Sequence, residues 1–254
     1  TKENIFNEKT KLLDNIKGLK KVIANGDDEY LSKLSPNKNY DVEKYSIDNV
    51  GEIKQGQDFL EFETSIYGSK EKLKINDIGN HNIYNALCAI KVGQIFNLKK
   101  ESIINGISSY TNYKGRLKRI EVNGIVLIDD SYNASNESMR SGLITVNHLD
   151  SKRKIAVLGD MFDLGEMSDV IHIKLADVFK IVNYDYLFTL GNQAKKMAKA
   201  AEKYMNKKNI ITFDGREDLI EKILEIAKKG DIFYFKASNG MKFSSIVKDV
   251  EKKL

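Results

Sequence analysis

Cysteine occurs once in this chain, at Cys88, so no intrachain disulfide can form and a reducing compartment fits. Inside the apolar helical run ALCAIKVGQIF, that thiol reads as a small buried hydrophobe rather than a reactive group. Tryptophan is absent and proline occurs only at Pro36. Neither an internal repeat nor a low-complexity segment is present. No apolar run approaches the roughly 18 residues that a membrane-spanning helix needs. No N-terminal signal pattern is visible, and a cytoplasmic location is expected. Charge of one sign is not in large excess: 41 Lys and Arg face 36 Asp and Glu, a formal net of +5. That balance suits a nucleotide or another small anion without demanding one. The lysines are scattered along amphipathic segments and not blocked with aromatics, which argues against nucleic-acid binding.

Two glycine patterns are missing as well. No GxxxxGK[ST] loop occurs, and no GxGxxG follows a strand. A complete ATP-using enzyme of the P-loop type therefore cannot be argued from this chain alone, and a dinucleotide-dependent dehydrogenase is disfavoured. The chain opens Thr-Lys-Glu-Asn rather than with Met, and a fragment or processed product is expected.

What is present is a chain of 254 residues, 41% apolar and 30% charged, enough for one large domain or two modest ones. From about residue 120 it alternates between two periods. Short β-rich runs fall at 125–129, 154–159, 186–190, 210–213 and 232–236. Helical patterns lie between them, at 137–148, 169–182, 193–204, 216–228 and 242–252. This alternation predicts a parallel sheet with right-handed crossover helices. Near-continuous apolar runs such as IAVLG predict strands buried on both faces. The first 110 residues read differently. A helix over 3–16 is followed by a short strand at 21–24 that ends in NGDD, a turn signal. Loose alternation over 38–76 predicts antiparallel strands, and helices follow at 82–96 and 100–110. A boundary is expected near 112–115.

Five motifs carry the polar chemistry. Residues 128–135 read IDDSYNAS, with the polar cluster at the end of an apolar strand, where open α/β sheets bind ligands. Adjacent carboxylates on an extended segment point to opposite faces, so one of Asp129 and Asp130 faces the crevice. A carboxylate there can accept two ribose hydroxyls, and one of Ser131, Asn133 and Ser135 is expected to cap the next helix. Residues 79–89 read GNHNIYNALCA. Asn82 and Asn85 share one helical face and offer the donor and acceptor that an adenine edge needs, or simply cap a polar turn. In KGRLKR, Arg116 follows a glycine at the expected domain joint, where a guanidinium could reach a phosphate or remain a surface charge. LGDMFDLGEMS sets Asp160, Asp163 and Glu166 on a loop without the spacing of a calcium site, so the loop is expected to shape a substrate pocket. In FKASNGMKF, Lys236, Ser238 and the following helix start form a candidate carboxylate site.

Taken in order, ENIFNEKTKLLDN, NGDD, GNHNIYNALCAI, GRLKRIE, LIDDSYNAS, VLGDMFDLGEMS and FKASNGMKF resemble the Mur ligases, which build peptidoglycan precursors. The resemblance spans nearly the whole chain, although 33–73 carries little motif. It implies a C-terminal Rossmann-like domain, mostly parallel with flanking helices, over 114–254. Residues 1–113 would be the remaining part of a mixed α/β ATP-binding central domain. Within the family, DDSYNA followed by LGDM is similar to the member that adds D-Ala-D-Ala to a UDP-N-acetylmuramoyl-tripeptide. The implied chemistry uses ATP and magnesium. The tripeptide carboxylate becomes an acyl phosphate, which the dipeptide amine then attacks. A monomer is expected, with the UDP-MurNAc-tripeptide and D-Ala-D-Ala as small-molecule partners and no nucleic acid.

The same resemblance implies roles. Asn82 or Asn85 is similar to the asparagine at adenine, Arg116 to the arginine at the ATP phosphates, and Asp130 to the aspartate on ribose. Lys9 aligns with the family's carbamoylated lysine. As a carbamate it would ligate magnesium, which an ammonium cannot do, and here plain lysine is expected. Asn133, Lys236, Ser238 and Asn239 fall where the incoming dipeptide is expected. The last motif departs from the family pattern KGSR: Ala237 replaces a glycine and Asn239 an arginine. The UDP-binding domain, phosphate loop, magnesium-binding glutamate and central-domain histidine of the family would all precede Thr1, so this chain alone is expected to be inactive. The alternatives are a sibling ligase that adds another residue and a non-catalytic nucleotide- or peptide-binding module.

Overall fold

In the computed structural model, the described residues are 1–15, 17, 21–111 and 115–254. They form two compact units, Thr1–Thr111 and Asn112–Leu254. Ile16, where the first helix is expected to end, and residues 112–114 of the expected boundary lie outside the described residues.

The first unit opens with helix α1 (Lys2–Asn15), which buries none of its residues. Its Phe6 ring meets the Tyr30 ring at 5.8 Å between centroids, while Ile5 and Leu12 stay exposed. Strand β1 (Lys21–Asn25) pairs with β2 (Asp41–Tyr45) in parallel, not antiparallel as the alternation predicts. The long connection over 26–40 gives the chain room for the crossover that parallel pairing requires. Strands β3 (Ile53–Gln55), β4 (Leu60–Ile66) and β5 (Ser69–Ile75) form an antiparallel sheet. Tyr67 and Gly68, both at positive φ, close the tight β4–β5 hairpin. Leu60, Phe62 and Leu73 pack on Ile83, Leu87 and Ile90 of α2 (His81–Ile95) and on Ile103 and Ile107 of α3 (Lys100–Ser108).

The second unit is a six-stranded sheet. Its strands are β6 (Lys118–Val122), β7 (Ile125–Asp129), β8 (Arg153–Gly159), β9 (Tyr186–Leu190), β10 (Ile210–Phe213) and β11 (Asp231–Lys236), in the order β10-β9-β8-β11-β7-β6. Five strands run parallel, and β6 alone is antiparallel, paired with β7. Every residue of β7 and of β11 is buried, because both strands lie inside the sheet and both faces are covered. The expected β-rich runs all lie on these strands, whereas β6 is an addition to the sequence reading.

Helices α4 (Asn136–Asn147), α5 (Ser168–Leu175) and α6 (Asn192–Ala201) follow β7, β8 and β9, while α7 (Arg216–Ile226) and α8 (Phe243–Lys253) follow β10 and β11. Ala194, Met197, Ala198 and Ala201 of α6 repeat at helical spacing and are buried, as are Phe243, Ile246, Val247 and Val250 of α8. The α7 and α8 stripes join one core with Leu127, Val157, Phe233 and Phe235. Neighbouring strand residues point the other way, and α4, α5 and α6 adjoin one another on that side. The expected helix over 169–182 ends early: α5 stops at Leu175 and tightens into a 3₁₀ turn over Ala176–Lys180. Among the described residues, no helix is long and apolar enough to cross a membrane.

At the amino ends of β8 and β11, Arg153 grips Asp231 with Nε on Oδ1 at 2.9 Å and Nη2 on Oδ2 at 2.5 Å. Asp231 is 1% exposed, and Lys228 N–H also donates to it. Removing the guanidinium strands a buried charge. Arg153→Ala is expected to cost the second unit about 3 kcal/mol in denaturant unfolding. A loss near zero would show that the pair is dispensable.

Candidate functional site

Polar side chains in the second unit gather at the carboxyl ends of the parallel strands. β7 and β8 lead into helices on one face, whereas β11, which lies between them, leads into α8 on the other. Loops that part in opposite directions leave a crevice at such a point. Ser135 caps α4: its hydroxyl accepts from Ser138 N–H, and Ser138 returns the bond in a capping box. This satisfies the expected cap and leaves Tyr132 and Asn133 exposed on the rim.

The two aspartates have separate tasks. Asp129 Oδ1 accepts from the backbone N–H and the hydroxyl of Ser131, at 3.1 and 2.5 Å, which turns the chain locally. Asp130 is 8% exposed and binds within the protein. Its Oδ2 accepts from Lys236 Nζ at 2.7 Å and from the Tyr234 hydroxyl at 2.9 Å, and its Oδ1 accepts from Leu117 N–H at 3.3 Å. Asp130 and Lys236, expected on ribose and dipeptide respectively, therefore bind each other. Tyr234 escapes the sequence reading because FYFK looks like an apolar strand; a lone hydroxyl in that run is the available signal. Burial pushes its phenol well above the ordinary value of 10.0, and the Asp130 charge adds to the effect.

Arg116 stands on a strained bracket. Gly115 and Leu117 flank it at φ +76° and +48°, and Leu117 is buried in that left-handed conformation. Gly115 accepts from Tyr132 N–H at 2.8 Å, an approach that a Cβ on Gly115 would crowd. The exposed Arg116 guanidinium lies over the Tyr132 ring, 4.4 Å from its centroid. Asn239 Nδ2 donates to the Tyr132 carbonyl at 3.0 Å.

The loop after β8 is anchored by its backbone. Ser238, 3% exposed, accepts from Phe162 N–H through its hydroxyl at 2.8 Å and donates its own N–H to the Asp160 carbonyl at 3.0 Å. Asp160 Oδ1 caps Ala194 N–H in the first turn of α6, in space left by Gly191 at φ +118°. His172 is fully buried. Its Nε2 accepts from Met161 N–H at 2.9 Å, which places the ring proton on Nδ1, facing the Ser168 carbonyl at 2.8 Å. Among the described residues, no three His, Cys, Asp or Glu side chains are grouped to hold a metal ion.

In the first unit, Asn82 is buried and fully engaged. Its Nδ2 donates to Asp77 Oδ2 at 2.7 Å and to the Ile78 carbonyl at 2.9 Å, and its Oδ1 accepts from Asn85 at 3.2 Å. Asn85 is exposed and keeps its carbonyl oxygen and one N–H available. Both line a mostly apolar groove of about 620 Å³, with Val92, Ile103, Ile107 and Tyr110 among its walls. Lys9 is exposed on α1.

A mostly parallel sheet covered on both faces, with polar groups at its switch point, defines an open α/β domain. The Mur ligase middle domain profile matches residues 1–93, and the Mur ligase glutamate ligase domain profile matches residues 115–239. The chain belongs to the Mur ligase family. It is 33% identical over 208 residues to the UDP-N-acetylmuramoyl-tripeptide--D-alanyl-D-alanine ligase of Bacillus subtilis, covering 81% of this chain and 44% of that protein. The Haemophilus influenzae ligase of the same name is 28% identical over 83% of this chain and 45% of its own length. The chain thus spans less than half the length of these curated relatives. Among solved structures, MurF from Acinetobacter baumannii superposes with a TM-score of 0.87 at 21% identity, covering 99% of this chain and 56% of that one. MurF ligase from Thermotoga maritima in complex with ADP gives 0.82 at 22%, covering 100% and 58%. At these identities the structures establish the fold.

Tyr234→Phe removes one donor from Asp130 and is expected to cost about 2 kcal/mol at neutral pH. The phenol's folded pKa is raised, so its contribution is complete below about pH 10 and falls as the unfolded phenol ionises above it. Tyr184, also raised by burial, titrates in both proteins. The stability gap between wild type and Tyr234→Phe should therefore narrow above about pH 10, by up to about 1.4 kcal/mol per pH unit. Unfolding titrations that show a constant gap would contradict this account.

Proposed function

We propose that this chain is part of an ATP-dependent amide ligase that joins D-Ala-D-Ala to a UDP-N-acetylmuramoyl-tripeptide. The 33% identity to the Bacillus subtilis ligase carries this reading. The polar rim of the second unit and the ADP held by the Thermotoga maritima structure support it. On this reading residues 1–113 are the later part of a central ATP-binding domain and 114–254 a C-terminal domain. The break between compact units after Thr111 supports that division. The protein is read as a cytoplasmic monomer, a setting in which the single Cys88 stays reduced.

When bound, ATP supplies the phosphoryl group that turns the tripeptide carboxylate into an acyl phosphate, which the dipeptide amine opens with release of phosphate. The residues present fit parts of a nucleotide. Asn85, with spare donor and acceptor at a groove of suitable size, is the adenine contact, and Asn82 holds its helix to Asp77. Arg116 answers the charge that grows on the transferring phosphoryl group. Asp130 keeps acceptor capacity on Oδ1 for a ribose hydroxyl while Lys236 neutralises it. Asn133, exposed, is the contact for the incoming dipeptide; Lys236 and Ser238, both buried, and Asn239, exposed with one N–H on the Tyr132 carbonyl, are read as supporting that subsite. The described residues do not by themselves fit magnesium: Lys9 is exposed, and no three metal-ligating side chains are grouped near one another.

In the ligase that contains this chain, Arg116→Ala is expected to lower dipeptide-dependent phosphate release by about 10²- to 10³-fold. Asn85→Ala should raise the KM for ATP by about tenfold, near 1.4 kcal/mol, whereas Asn82→Ala should mainly lower thermal stability. The chain assayed alone should release no phosphate, since it has no GxxxxGK[ST] loop. Turnover with single amino acids in place of D-Ala-D-Ala would overturn the substrate assignment.

A further inference from the structure

The Arg116 bracket contains two residues whose placement the reaction alone does not explain. Tyr132 belongs to the DDSYNA motif, yet its ring lies under the Arg116 guanidinium at 4.4 Å rather than in the core. Asn239 stands where the family pattern has arginine, and one of its N–H groups is spent on the Tyr132 carbonyl. An asparagine offers no bidentate fork to a carboxylate or phosphate. Its bond instead fixes the peptide from which the ring projects. The other side of that residue is held too, by Tyr132 N–H on the Gly115 carbonyl at 2.8 Å. Tyr132 is thus pinned through both its N–H and its carbonyl, and the first pin is the residue before Arg116.

We infer that Tyr132 and Asn239 are positioning residues for Arg116: the Tyr132 ring is the resting platform of the guanidinium, and Asn239 holds the platform in place. The inference rests on the proposed role of Arg116 at the phosphates. The face of a phenol ring carries negative charge density that attracts a guanidinium, and the planar group also stacks on it. An exposed arginine otherwise samples many rotamers, and each must be given up before it can answer a developing charge. The platform removes that search. The positive φ at Gly115 and Leu117 and the Asp130 bond to Leu117 N–H aim the backbone that carries the side chain. The attraction of an exposed pair is modest, so the guanidinium can leave the ring when phosphate competes for it.

The test has two arms. In this chain, the side-chain NMR resonances of Arg116 should be displaced upfield by the ring. They should stay displaced in Tyr132→Phe, return to solvent-exposed positions in Tyr132→Leu, and be partly restored to those positions in Asn239→Ala. Undisplaced resonances in the unmodified chain would overturn the inference. In the full ligase, Tyr132→Leu and Asn239→Ala should lower kcat by roughly two- to five-fold with little change in the KM for D-Ala-D-Ala. Tyr132→Phe should restore kcat. If Arg116→Ala abolishes turnover but Tyr132→Leu leaves kcat untouched, the platform is refuted while the functional reading stands. If Arg116→Ala leaves turnover unchanged, the functional reading fails, and the NMR arm still decides the stacking. A raised KM for ATP in both Tyr132→Leu and Tyr132→Phe, without loss of the Arg116 displacement in Tyr132→Phe, would assign the phenol to the nucleotide and overturn the positioning role.

Discussion

Asp130 lies just past the end of β7 with almost no water to spread its charge. A carboxylate in that setting persists only if a cation and further donors replace the lost hydration. Lys236 brings the cation from β11, the neighbouring strand, and Tyr234 brings a hydroxyl from two residues earlier on the same strand. Leu117 N–H completes the set from the segment entering β6. Two stretches of chain, β11 and the segment entering β6, are thus tied to one side chain, and other residues must yield to it. Gly142 is one: a Cβ there would sit 1.8 Å from the Tyr234 hydroxyl, so α4 can pack only with glycine at that turn. Leu117 is another, held in a left-handed conformation that a leucine rarely adopts. The posture of Arg116 follows from both of its neighbours.

The parts of this arrangement that were legible in the sequence are those fixed by burial on two faces. Strand β7, buried throughout, and strand β9, buried beyond its first residue, begin and end where the apolar runs do, since such strands have few other compositions open to them; the edge strand β10 also matches its run, with only Phe213 buried. β6 was hidden because edge strands carry charge: Lys118, Arg119 and Glu121 break up Ile120 and Val122, so KGRLKRIEV reads as basic loop. The direction of β2 was hidden for another reason, since alternation shows that a strand exists but not which way its partner runs. The site followed the same division. Asp130, Arg116 and the pair Asn82 and Asn85 stood out as polar residues near element ends. The engagement of Asn82 with Asp77 and of Asp130 with Lys236 and Tyr234 depends on contacts between distant segments that no local pattern encodes.

The departure from KGSR to KASN is absorbed by its neighbours. The Cβ of Ala237 fills space that Gly159, on the adjacent strand β8, leaves open; a Cβ on Gly159 would lie 2.7 Å from it. With no side chain at Gly159, the methyl group of Ala237 fits while the backbones stay close. Ser238 keeps its bonds to Phe162 and Asp160. The change at Asn239 alters the chemistry itself. It replaces a cation that could have faced an anion with an amide that faces the protein.

The sheet carries an ion pair with a buried carboxylate at each end, and the surroundings of the two pairs differ. Asp231 and Arg153 meet at the amino ends of β11 and β8, where the guanidinium is also spent on the Ile226 carbonyl and the carboxylate on Lys228 N–H. Three N–H groups of the guanidinium and both oxygens of the carboxylate are thus engaged inside the fold. Asp130 and Lys236 meet at the carboxyl ends, beneath the exposed Arg116, Tyr132 and Asn133. There Asp130 Oδ1 has a single long bond of 3.3 Å and retains acceptor capacity. A buried pair costs desolvation wherever it sits, and apolar residues of equal volume often hold a fold as well. At the amino pole the cost is offset by two parallel bonds in one plane. At the carboxyl pole three donors hold the carboxylate in one orientation and leave Oδ1 with acceptor capacity at the strand ends.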